Sequence, residues 1–310
     1  MPPLSLSTCW NSARHSDGYE MVREIIDLGF GRIELSHGIR LTLVAGILRA
    51  VEEGLVEISS VHNFCPLPPG VVGAAPNLYE PSDPQLSEVR QWYRNTCRTI
   101  EFAHQVGAKI MVSHLGSVRF PLLNPVTRAR RRMEKGKLPA NDIAAMIRLW
   151  QHVLSKVQKR APAFWGRVKT NIEPVAEVAR RHGVRVGCEN REGMEELPLD
   201  ASIGELFADQ DESGPLRYWH DVGHAQLKQQ MGVADHEAML EANRRWLTGF
   251  HLHDVRDGRD HSVPGTGTID FSMVRRFIGP DHTLVLELSP RLSVEEVLES
   301  KGYMEKLLAG

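Results

Sequence analysis

The hydrophobic period of this chain switches again and again along its length. Short β-rich apolar runs recur, each followed by an amphipathic helical pattern. The runs are LSLSTCW near residue 5, RIELS near 33, VEISSVH near 57, KIMVSH near 110, VRVGCEN near 185, LRYWHD near 217, GFHLHD near 250 and TLVLELS near 284. Helical patterns occupy 18–28, 41–53, 84–106, 141–182, 202–209, 236–247, 270–278 and 293–308, with a break expected at Pro162. Within 84–106, Leu86, Val89, Tyr93, Ile100 and Ala103 recur at helical spacing and are assigned to one buried face. Several helices end in Gly just before the next strand, as in DLGFGRIEL and RHGVRVGC, the left-handed stop that a short helix-to-strand turn needs.

Eight such units in 310 residues predict the α/β class and a (β/α)8 TIM barrel, one domain over 1–310. An open doubly wound sheet is the alternative, but the GxGxxG that would mark its dinucleotide site does not follow the first strand. Two stretches break the even spacing. One is the Pro/Gly-rich CPLPPGVVGAAPNLYEPSDP after the third strand, and the other is an insertion over about 117–140 after the fourth. Both follow strand C-termini, the barrel face where functional loops gather, so both are expected to be lids or pocket walls.

Composition narrows the partners. An apolar share of 42% with 25% charged residues excludes disorder and coiled coil. A net charge of −2 offers no general attraction to a polyanion, so no nucleic-acid partner is expected. The one basic run, Arg128, Arg130, Arg131, Arg132, Lys135 and Lys137, reads as a solvated insertion, with a phosphate clamp or an oligomer contact as the functional alternatives. The N-terminus lacks a leader pattern and no stretch approaches the ~18 apolar residues of a membrane span, so a cytoplasmic location with no membrane contact is expected. Cys9, Cys65, Cys97 and Cys188 form no CxxC and read as buried thiols.

The histidines carry the functional signal. Of 14, eight (His37, His62, His114, His220, His224, His251, His253 and His261) stand at or just past strand ends. Carboxylates close other strands: Glu189 the fifth, Asp221 the sixth, Glu287 the eighth. In a closed barrel these ends form a ring, so Glu189, Asp221, His251 and Glu287 would converge on one small volume. Three carboxylates there repel one another unless a cation sits among them, and a divalent metal is the simplest such cation. Three carboxylates and one imidazole are a fairly hard ligand set, which favours Mn2+, Mg2+ or Co2+, with Zn2+ also accommodated. His62, His114, His224 and His261 are read as ligands of an additional Zn2+ or as donors to substrate hydroxyls. Arg259 and Arg256 are candidates for a substrate phosphate or carboxylate. Glu34 and His37 are read as wet rim residues, with substrate contact as the alternative, and Trp10, Phe64 and Trp219 as core or as an apolar wall for a sugar face.

The strand-end motifs VHNF, SHLG, GCENRE, HDVGHAQ, FHLHD, HSVPGTGTIDF and LELSP, in that order, resemble the xylose-isomerase-like TIM-barrel superfamily. That group includes ketose 3-epimerases, hydroxypyruvate isomerase, inosose dehydratase and endonuclease IV. The resemblance implies a metal quartet of Glu189, Asp221, His251 and Glu287, with Glu189 and Glu287 also serving as acid and base on opposite faces of a bound sugar. It implies a substrate or zinc role for His224 and a zinc role for His62, His114 and His261. One departure stands out: where the endonuclease has an Asp two residues before its last His, this chain has Arg259, with Asp260 one place later.

The expected function is a metal-dependent isomerase, epimerase or dehydratase acting on a small carbohydrate-like substrate through an ene-diolate. The alternatives are an endonuclease IV-like abasic-site nuclease and a non-catalytic sugar-binding barrel. A homo-oligomer is the family-level expectation.

Overall fold

The computed structural model describes residues 2–134 and 142–310. Eight parallel strands close into a barrel: β1 (Leu4–Ser7), β2 (Arg32–Leu35), β3 (Glu57–His62), β4 (Ile110–Ser113), β5 (Arg185–Glu189), β6 (Leu216–Asp221), β7 (Leu247–Leu252) and β10 (Thr283–Leu286). They lie around the ring in chain order, and β10 pairs with β1 to close it. Between β7 and β10, a short antiparallel hairpin of β8 (Asp254–Arg256) and β9 (Arg259–Ser262) rises past the end of β7. Sequence periodicity did not reveal this hairpin.

The helices that cover the barrel are α1 (Gly18–Asp27), α2 (Val44–Glu52), α3 (Leu86–Gln105), α4 (Pro125–Glu134), α5 (Ile143–His182), α6 (Val222–Gln230), α7 (His236–Asn243), α8 (Phe271–Arg275) and α9 (Val294–Ala309). Three expectations need correction, and one insertion holds an unforeseen helix. The 40-residue α5 runs unbroken through Pro162 and Pro174. Its buried stripe of Trp150, Val157, Trp165, Val168 and Val175 packs on the core, and that burial outweighs the ~3 kcal/mol a helix-interior proline costs. The segment predicted as helix 202–209 is a single 3-10 turn, Ile203–Leu206. The insertion after β4 contains a helix, α4, that the sequence pattern did not reveal, and Lys135 and Lys137 of the basic run lie outside the described residues. The buried face of α3 is set by Trp92, Thr96, Thr99 and Ala103, while the predicted Leu86 and Tyr93 are exposed. Trp92 captures the core because it is the larger apolar side chain, and it rotates the face away from Tyr93.

Inside the barrel, Ile110, Val112, Trp219 and Val285 form a small apolar plug. Trp219 fits because the inward neighbours on β5 and β7 are Gly187 and Gly249, and a side chain at Gly249 would run into its ring. Trp10 and Phe64 are likewise buried in the core, so none of the three aromatics forms the wall of an open pocket. The plug fills the lower half of the barrel and leaves the C-terminal rim to polar side chains. No described helix is long and apolar enough to cross a membrane.

Candidate metal centre

Alternation along each strand decides which strand-end side chains enter the barrel. On β6, Trp219 and Asp221 point inward, while Tyr218 and His220 point out into the helix layer. Register then sets Asp221 beside His251 on β7, and His251 beside Val285 on β10, two residues before Glu287. The four ligand atoms that Glu189, Asp221, His251 and Glu287 offer lie within 4.8 Å of one another, and all four residues are buried. His251 Nδ1 is 2.7 Å from Glu189 Oε1, 3.2 Å from Glu287 Oε2 and 3.7 Å from Asp221 Oδ2.

Asp221 has a second task. It is the N-cap of α6, its Oδ1 accepting the His224 N–H at 2.8 Å, which leaves Oδ2 to face the cluster. That N-cap is the signal from which α6 could have been predicted. Oδ2 also receives His253 Nε2 at 3.1 Å, and His253 Nδ1 in turn accepts the backbone N–H of His261 at 2.9 Å. A nitrogen that accepts carries no proton, so the ring proton of His253 sits on Nε2 and donates to Asp221.

Four histidines around the quartet share one arrangement. Nδ1 of His62 meets Asn63 O at 3.0 Å, that of His114 meets Asn77 Oδ1 at 2.7 Å, that of His224 meets Asn190 O at 2.9 Å, and that of His261 meets Glu287 O at 2.8 Å. A carbonyl only accepts, so each Nδ1 holds a proton and donates it, and each Nε2 is turned toward the pocket. The Asn77 amide is oriented by its own donation to Glu196 Oε1 at 3.3 Å.

Two of these Nε2 atoms face Glu189 Oε2, His114 at 2.9 Å and His62 at 3.9 Å. The other two face Asp260 Oδ2, His224 at 4.0 Å and His261 at 3.7 Å. Asp260 thus takes the place between the histidines despite its one-residue offset. The left-handed backbone of His261 (φ 54°) breaks the strand alternation and lets both side chains face the pocket. Arg259 is exposed at the mouth of the same cavity, while Arg256 lies outside its lining.

Burial, and then the charge of Arg191, push the His114 imidazole down to about 3, so it is neutral at ordinary pH. Its Nε2 lone pair then faces a carboxylate oxygen, an acceptor against an acceptor, which is favourable once a cation lies between them. Glu189 is buried, which opposes ionisation, yet Arg191, whose Nη1 stands 2.5 Å from Oε2, and the neighbouring histidines hold it well below the usual carboxylate range. Asp221 is also held ionised against burial, by His224 and His253. Fixed carboxylates, imidazole lone pairs aimed inward and Nδ1 atoms anchored to carbonyls suit a divalent metal, whose histidine ligands are generally oriented through their second nitrogen. The donor set would hold such an ion.

Two further residues were not legible as parts of this centre. Arg191 is buried between Glu189 and Glu196. Glu34, expected at a wet rim, is fully buried inside the barrel because β2 turns it inward beneath His251. Asp254 shapes the loop above: its carboxylate accepts the backbone N–H groups of Val255, Gly265, Gly267 and Ile269, folding PGTGTID around itself. His220 does not reach the centre. It is buried behind β6, with Nδ1 against Tyr218 Oη at 2.7 Å and Nε2 against His236 Nε2 at 2.9 Å.

The centre opens into a cavity of about 470 Å3 lined by His37, His114, Arg191, His224, Arg259 and Glu287, among others. A wider cleft of about 590 Å3 between α5 and α7 carries the part-buried Lys228–Asp200 pair (2.8 Å) but none of the predicted site residues.

A family model described as the xylose isomerase-like TIM barrel matches residues 22–306. The chain belongs to this family. Solved structures that share the xylose isomerase-like fold include a D-tagatose 3-epimerase-like protein, 17% identical, covering 99% of this chain and 97% of that one at a TM-score of 0.69. An L-ribulose 3-epimerase is 13% identical, covering 100% and 95% at 0.67. The D-psicose 3-epimerase of Clostridium cellulolyticum H10, solved with D-tagatose, is 11% identical, covering 99% of each chain at 0.67. At such identities these likenesses establish the fold. No curated protein matches the sequence.

Proposed function

We propose that this xylose isomerase-like barrel is a divalent-metal-dependent isomerase or epimerase, or a related dehydratase, acting on a small sugar, polyol or hydroxy-keto compound. The observation that carries it is the buried quartet of Glu189, Asp221, His251 and Glu287, whose ligand atoms fall within 4.8 Å of one another. These four would hold the ion. When bound, the metal supplies Lewis-acid stabilisation for the negative charge that develops on a substrate carbonyl and its neighbouring hydroxyl. Glu189 and Glu287 are the acid and base: one carboxylate removes the proton α to the carbonyl, and the other returns it. His62, His114, His224, His261 and Arg259 bind substrate oxygens or, in the case of the histidines, an additional Zn2+. The 3-epimerase structures of the same fold support a carbohydrate substrate.

The inward-facing Nε2 atoms of His62, His114, His224 and His261 favour a second reading, a multi-metal hydrolase of the abasic-site nuclease type. The net charge of −2, which offers no general attraction to a polyanion, weighs against it. The test is exchange of the α-proton for solvent deuterium, followed by NMR, with D-tagatose, D-psicose and L-ribulose and Mn2+-loaded protein. Exchange with any of the three supports the isomerase. Cleavage of an abasic oligonucleotide without exchange supports the nuclease instead.

A further inference from the structure

We infer that Glu34 is a positioning residue that fixes the ring of His251, presenting Nδ1 rather than Nε2 to the quartet. The inference rests on the metal reading above.

Glu34 comes from β2, across the barrel from β7, and is fully buried. Oε1 accepts the Ser7 hydroxyl at 3.0 Å and Oε2 accepts the Ser60 hydroxyl at 2.8 Å, so β1 and β3 hold the carboxylate from both sides. Both oxygens lie 3.2 Å from His251 Nε2. An ionised carboxylate at this depth is expensive unless it is paired, and among the described residues His251 is its one nitrogen donor. Burial of Glu34 therefore requires a proton on His251 Nε2. With that nitrogen committed, Nδ1 is the atom left to face Glu189, Asp221 and Glu287.

This differs from the rest of the centre. His62, His114, His224 and His261 are anchored through Nδ1 by neutral carbonyl oxygens and aim Nε2 inward. His251 is anchored the other way round, by a full negative charge. A carboxylate partner both orients an imidazole and raises its basicity as a ligand, and losing such a partner typically weakens metal binding roughly 10–100-fold. A Glu34 that merely fills the barrel would not show this signature, because Gln has the same shape and keeps both serine contacts, accepting from one hydroxyl and donating to the other.

The experiment is Zn2+ titration of the full chain against a competing chelator, together with the downfield imidazole N–H resonance of His251 in the Zn2+-loaded protein. Glu34→Gln is expected to weaken the tightest site roughly tenfold or more, leave the number of sites unchanged, and shift the His251 N–H resonance. Wild-type affinity together with an unmoved resonance would overturn the inference. Should Glu34→Gln fail to fold, Ser60→Ala keeps the carboxylate but removes one of its anchors. Weakened Zn2+ binding and a shifted resonance in that variant support the inference, and wild-type values in both overturn it. A wild-type chain that binds no Zn2+ and no Mn2+ would instead bring down the metal reading, and with it the inference.

Discussion

Two histidine clusters lie back to back across β6, and they behave oppositely. Behind the strand, Tyr218, His220 and His236 form a buried hydrogen-bonded row in which, among the described residues, no carboxylate bonds to either imidazole. Burial, then the nearby His236, holds His220 well below the usual value, and burial pushes His236 down to about 4, so the row is neutral and serves packing. In front of the strand, His251 is buried just as completely, and burial again disfavours its charged form. There the carboxylates of Glu287 and Glu34 and the bonds to Glu189 and Glu34 outweigh burial and hold it well above the usual value. Equal burial thus shifts the two rings in opposite directions, and the difference is the number of carboxylates that face the ring. Buried acids collected at one rim are a cost to the metal-free fold, and such costs concentrate at functional sites.

The largest effect expected from this contrast is catalytic. Glu287→Gln should lower α-proton exchange by roughly 10^2–10^4-fold, the usual worth of a positioned acid or base. Its metal-free thermal midpoint should stay level or rise, since one of the crowded charges is gone. His220→Leu should do the reverse. It leaves the Tyr218 hydroxyl and His236 Nε2 without partners, at roughly 1–3 kcal/mol for each buried group left unsatisfied, while metal equivalents by elemental analysis stay at the wild-type value. If both variants lost exchange equally, the two clusters would not be functionally distinct.

The third prediction concerns acid. Burial pushes His236 down to about 4, so below pH ~6.5 the unfolded chain takes up a proton that the folded chain refuses until about pH 4. Stability from this group is therefore lost as pH falls through that window, by about 3 kcal/mol in full at ~1.4 kcal/mol per pH step. Urea midpoints at pH 7 and pH 4.5 should show a smaller acid loss in His236→Gln than in wild type, and equal losses would remove His236 from the account. The smallest effect is metal removal. At a free metal concentration 100 times Kd the ion adds roughly 2.7 kcal/mol, so EDTA should lower the thermal midpoint by a few degrees. That shift should survive in His220→Leu and shrink in Glu287→Gln.

How much of this was legible in the chain depends on the range of the signal. The eight barrel strands lie where period-2 runs end in polar residues, because strand pattern is a local property. The quartet could be named for the same reason: its members each close a strand. The helix α6 was missed because its nine residues are buried almost all round, so no amphipathic stripe marks it; the Asp221 N-cap was the available signal. The hairpin of β8 and β9 was missed because it is only three and four residues long and largely polar. Pro162 misled because a local penalty was outweighed by the burial of a long helix.

Residue order by itself determined the alternating βα units and the concentration of acids and imidazoles at strand ends, since both follow from patterns a few residues wide. Tertiary structure alone decided which neighbour of each pair faces the candidate metal centre. His220 and Asp221 are adjacent in the chain, yet strand alternation sends one to the helix layer and the other to the rim. Ring closure decided the rest: it sets Glu34 against His251 across a sequence separation of 217 residues, a contact that no local pattern encodes.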